Sequence, residues 1–183
     1  MENLRFIRET MESAGSFTAV SGAGQVVVGV TALAAAGVAS LQRSQASWLA
    51  VWLVEAAVAG LVGAWGIRRK ARATGVSLNS GPARKFVICF APPLVAGALL
   101  TPVLYRAGAA GSLPGAWLLF FGAAVVTGGA LSVRIVPFMG LALMLLGAVA
   151  LLSPSSLGNL FMALGFGVVL IVFGGIIARR HGG

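Results

Sequence analysis

Beyond residue 12 the chain has one acidic side chain, Glu55, and it has no Asp at all. Glu55 stands in the apolar run Trp52-Leu53-Val54-Glu55-Ala56-Ala57. A helix through this run puts it roughly 13 Å from one end and 18 Å from the other, at 1.5 Å per residue. A charge near a bilayer centre costs at least about 2.5 kcal/mol, so such a residue is expected to face the interior of a helix bundle. Two chemistries are open to it. It could bind a proton or cation in transit, or it could be a protonated carboxyl donating one hydrogen bond to a neighbouring helix. Thr31 and Thr101 lie at similar depth by residue count and are its candidate partners, with Gln25 nearer the basic end. None of them is a base, so a proton relay from Glu55 would need water.

Other reactive residue types are sparse. Pro92-Pro93 falls inside an apolar segment, where it frees the carbonyls of Ile88 and Cys89 and is a candidate helix break; Pro102 follows in the same segment. Broken helices line sites in many transporters, yet they are also tolerated where a neighbour satisfies the freed carbonyls. Cys89 is the only cysteine and lies in an apolar stretch, which excludes an intramolecular disulfide and a cysteine metal cluster. His181 is the only histidine, so no metal site and no bis-histidine haem are expected. The serines lack a His or Asp partner for a triad, and no Gly-rich phosphate loop sits between a strand and a helix. No enzyme activity and no cofactor are expected.

The elements that must position these residues follow from composition. Of 183 residues 58% are hydrophobic and only 9% are charged, and the mean hydropathy is +0.98. A soluble domain has about 25% charged residues and could not hide so much apolar surface in one core. The chain therefore reads as a single all-α transmembrane domain over 1–183, with a segment 1–16 in the headgroup layer. Six spans are expected at about 19–41, 46–67, 86–105, 113–133, 135–153 and 157–178. They pair as three in–out–in hairpins, about 19–67, 86–133 and 135–178. Residues 2–12 read as a short amphipathic interfacial helix, with Leu4, Ile7 and Met11 on one stripe. Glu2, Glu9 and Glu12 are wrong for the basic start of a cleaved leader.

The net charge of +9 is distributed by side. Arg5, Arg8, Arg68, Arg69, Lys70, Arg72, Arg84, Lys85, Arg134, Arg179 and Arg180 fall on one side, and only Arg43 and Arg106 on the other. That eleven-to-two asymmetry predicts both termini and the connection 68–85 in the cytoplasm of a bacterial inner membrane. Trp48, Tyr105 and Trp117 fall at the outer interface and Trp65 at the inner one. Cations placed at the ends of apolar spans point to anionic headgroups as partners and argue against nucleic acid. Ala56, Gly60 and Ala64, then Ala59 and Gly63, then Ala124 and Gly128, form small-residue ladders for helix packing. Gly165, Gly167, Gly174 and Gly175 extend that expectation to the last helix, either within one bundle or between chains of a homo-oligomer or larger membrane complex.

Sliding the last hairpin back by 111 residues aligns Gly140 with Gly29, Val149-Ala150 with Val38-Ala39, Gly174 with Gly63 and Arg179-Arg180 with Arg68-Arg69. This register predicts a parallel internal repeat, related by rotation about the membrane normal. The stretch from Gly140 to Arg180, with its turn Leu151 to Pro154, Gly174-Gly175 and paired arginines, resembles the repeat of the HdeD-type family of small bacterial membrane proteins. That resemblance implies three such hairpins and an association with acid resistance, and it brings no catalytic residues. The whole chain also resembles uncharacterised six-helix membrane proteins of GC-rich bacteria. The functional expectation is a non-enzymatic bundle, structural, stress-linked or an accessory subunit of a larger membrane complex. The alternative is a small transporter or channel for a proton or small solute that uses Glu55.

Overall fold

Hydropathy this high leaves helices as the way to satisfy the backbone inside a bilayer, since each helix bonds its own N–H and C=O groups. The computed structural model describes residues 21–74, 81–130 and 132–181, and over these the chain is helical with short turns. The interfacial helix expected over 2–12 lies outside the described residues. The helices are α1 (Gly22–Ser40), α2 (Gln45–Thr74), α3 (Gly81–Arg106), α4 (Leu113–Gly129), α5 (Ile135–Leu152) and α6 (158–181). All six spans are long and apolar enough to cross a membrane.

Local chemistry sets the helix ends. Ser21 caps α1, its hydroxyl accepting from the Gly24 N–H at 3.2 Å. Gly108 ends α3 in the left-handed region at φ 73°. It lets Ala109 N–H reach back to Leu104 O at 2.9 Å and Gly108 N–H to Tyr105 O at 3.2 Å, a Schellman closure. Pro114 then sits in the first turn of α4, where its missing N–H is no loss. α2 runs past the expected 67 because Arg68 to Arg72 continue the helix beyond the apolar run.

Packing is organised around glycines seven residues apart. Gly22 and Gly29 on α1 face Gly174 and Gly167 on α6, and Gly115 and Gly122 on α4 face Gly147 and Gly140 on α5. A β-carbon at Gly29 would stand 2.8 Å from Gly167 O, and one at Gly174 2.9 Å from Gly22 O. Between α4 and α5, a β-carbon at Gly122 or Gly140 would stand 2.7 Å from the other's carbonyl oxygen. Seven residues make two turns, so each pair presents one bare stripe and the two backbones close on it.

α6 links the two locked pairs. Its middle, Ala163–Val169, is π-helical. Gly165 admits Leu118 of α4, while Gly167, on the other side of the helix, admits Leu33 of α1. The buried core gathers here, with Leu118, Met139, Leu143, Met162, Leu170 and Ile177 almost fully enclosed. α2 packs on α1 and α3 on α4.

Candidate functional site

Glu55 lies on the face of α2 that packs against α1, and it is buried. Thr31 Oγ1 of α1 donates to Glu55 Oε1 at 2.8 Å and also stands 2.9 Å from Val28 O, one turn back on its own helix. The Thr31 partnership therefore matches the depth count made from the sequence. Thr101 is not part of it. Its hydroxyl accepts from Trp117 Nε1 at 2.8 Å and donates to Gly97 O at 2.8 Å. The reason lies in the packing: α3, which carries Thr101, lies against α4 and not along α2.

Pro92 and Pro93 do not interrupt α3, which continues through them to Arg106. Pro93 cannot donate to Cys89 O, and Thr127 Oγ1 of α4 donates to that carbonyl instead, at 2.8 Å. The expected break is thus a closed helix–helix tie. Cys89 itself is a free, half-buried thiol.

A third polar junction had no warning in the sequence reading. Asn159, at the start of α6, accepts from Trp48 Nε1 at 3.3 Å and Trp52 Nε1 at 3.2 Å, and its Nδ2 donates to Ala36 O at 2.9 Å. One side chain so ties α6 to both α1 and α2. Trp48 stacks on Trp117 at 5.9 Å between centroids and 6° between planes. Trp117 in turn bonds Thr101, which carries the network to α3. Deeper in the bundle a chain of rings, Phe90, Phe121 and Phe166, joins α3, α4 and α6 by edge-to-face contacts at 6.2 and 5.2 Å.

The glycines named for packing divide into two groups. Gly174 meets α1, and a β-carbon at Gly128 would lie 3.1 Å from Phe86 and 3.2 Å from Phe90 of α3. Gly60, Gly63 and Gly175 have nothing within 4 Å of such a carbon. Gly60 and Gly63 of the α2 ladder therefore meet no helix among the described residues, because α3 does not lie along α2.

Among the described residues no group of three His, Cys, Asp or Glu is placed to hold a metal. Comparison with protein-family models, curated proteins and solved structures finds no match to this chain.

Proposed function

We propose that the chain is a non-enzymatic helical scaffold of a bacterial cytoplasmic membrane, acting as an accessory subunit of a larger membrane assembly. One observation carries the reading: three polar side chains within the apolar spans, Thr31, Thr127 and Asn159, are engaged as ties between helices. Thr31 with Glu55 joins α1 to α2, Thr127 with the Cys89 carbonyl joins α4 to α3, and Asn159 joins α6 to α1 and α2. Ties of this kind fix helix positions in lipid, where no hydrophobic force drives helices together. A substrate pathway would instead leave polar groups facing water. The Thr31 hydroxyl stands between Glu55 Oε1 and Val28 O, so one side chain fixes α2 on α1.

Both termini and the connection 68–85 lie on the cytoplasmic side in this reading, supported by the eleven-to-two distribution of cations. The parallel repeat is part of it too. Gly29 and Gly140, brought together by the 111-residue shift, each sit in a tight glycine crossing.

Two experiments test the proposal. Cysteine labelling in a Cys89→Ser background should leave Ser77→Cys protected in intact cells and Ser112→Cys reactive; the reverse pattern overturns the orientation. Purified protein in liposomes should carry no proton flux, and Glu55→Gln should fold and behave as the parent does. A flux present in the parent and abolished by Glu55→Gln would instead establish a carrier.

A further inference from the structure

The helices α2 and α3 are the least enclosed of the six. Only 17% and 11% of their most apolar stretches are buried, against 33% or more in the others. They make no extended contact with each other. Leu61 and Trp65 on α2, and Val87 and Ile88 on α3, stand exposed at 73%, 61%, 59% and 59%. At the end opposite Arg68 and Arg84 the two helices are bridged, through the Trp48–Trp117 stack and the Trp117–Thr101 bond. Between their ends the exposed side chains of both helices are apolar, and Trp117 of α4 stands in the seam between them at that end.

Its other end is strongly basic. Arg68, Arg69 and Arg72 close α2, and Arg84 and Lys85 open α3, all of them exposed. Thr74 and Gly81 are seven Cα steps apart, so the two helix ends lie within about 25 Å of each other. Glu55 is the only carboxylate among the described residues, and it is turned to Thr31. Arg69 lies 5.4 Å over the Trp65 ring, a cation–aromatic pair of the kind found at headgroup depth. Five cations at one mouth thus have no anion among the described side chains to balance them.

We propose that the α2–α3 seam binds a phospholipid whose headgroup carries two phosphates, with its acyl chains along the seam and its phosphates on Arg68, Arg69, Arg72, Arg84 and Lys85. The occupant must be apolar over the length of a membrane leaflet and anionic where the apolar surface ends, which a nucleic acid or an acidic peptide is not. Basic clefts between transmembrane helices take such headgroups. Two helix ends, each with its own cations, match two phosphates better than one, because each phosphate accepts charge-assisted bonds from a separate cluster. The inference rests on the six-span bundle and stands whether or not the scaffold reading does.

The test titrates the full-length protein, in neutral detergent, with diphosphatidylglycerol, phosphatidylglycerol and phosphatidylcholine of matched chains, read by native mass spectrometry. Diphosphatidylglycerol should bind at least about tenfold tighter than phosphatidylcholine and tighter than phosphatidylglycerol. Arg68→Gln/Arg69→Gln/Arg84→Gln should remove most of that preference. Arg134→Gln/Arg179→Gln/Arg180→Gln, which removes as much charge elsewhere, should keep it. A photoreactive acyl chain should label α2 and α3 above the other four helices. Equal losses in the two triple variants, labelling spread evenly over the six helices, or equal affinity for the three lipids would each overturn the site. Equal affinity for the one- and two-phosphate lipids alone would overturn the two-phosphate assignment. Should the triple seam variant unfold, Arg84→Gln alone serves, with a smaller loss expected in the same direction.

Discussion

The α4–α5 pair and the α2–α3 pair are both made of adjacent apolar helices carrying small residues, yet one is locked and the other open. On α4 and α5 a bare stripe meets a bare stripe, Gly115 and Gly122 against Gly147 and Gly140, and the backbones touch. On α2, Gly60 and Gly63 face open space, and α3 offers Val87, Ile88 and Val95, all bulky and exposed. In lipid an apolar helix gains nothing by hiding from its surroundings, so association follows close backbone fit and polar ties. A small-residue ladder is therefore half of an interface, and only a matching ladder completes it.

The comparison breaks most decisively at the glycines. Gly140→Val places a branched side chain against Gly122 O and Val126 N, at 2.7 and 2.8 Å from its β-carbon, where neither can yield. A loss of about 3 kcal/mol is expected from such overpacking, measured by reversible unfolding in detergent. Gly60→Val, with nothing within 4 Å, should stay within about 0.5 kcal/mol of the parent. Equal losses would show that α2 has a partner helix after all.

Next in size is Asn159→Leu. It leaves two indole N–H groups and the Ala36 carbonyl without their partner, and about 2 kcal/mol should be lost in the same unfolding measurement. Tryptophan fluorescence should shift as Trp48 and Trp52 lose their acceptor; an unchanged spectrum with unchanged stability would remove the junction from the account. Thr127→Val is smaller still. It deletes one bond to the Cys89 carbonyl, an effect of about 1 kcal/mol. Hydrogen exchange should rise in α3 near the proline pair and not in α5, and equal rise in both would mean general loosening.

The spans were legible because apolar length is a one-dimensional property, and five of the six apolar segments match their helices to within about five residues at each end. α2 overran because helix propensity does not stop where hydrocarbon does. Thr31 could be paired with Glu55 by counting depth along two adjacent helices. Asn159 could not be placed that way: after Ser153-Pro154-Ser155-Ser156 it reads as turn, and its indole partners are 107 and 111 residues away. The glycine locks were half legible. Glycines seven apart occur on α1, α4, α5 and α6 and on neither α2 nor α3, a signal that names the locked helices without saying which meets which.

The central claim is that the polar ties at Glu55, Thr127 and Asn159 hold the bundle together and carry nothing through it, and Glu55 is where it is most exposed to failure. The measurement is a double-mutant cycle on Glu55 and Thr31, with proton flux in liposomes recorded for each protein. Glu55→Gln keeps a donor and an acceptor beside Thr31 and should leave stability within about 0.5 kcal/mol of the parent. Glu55→Leu and Thr31→Val should each cost about 0.6–2 kcal/mol, and the two together little more than one, because they remove the same bond. The parent and all four variants should be silent in flux. A pH-driven flux in the parent that Glu55→Gln abolishes, with folding intact, would contradict the account and make Glu55 a carrier.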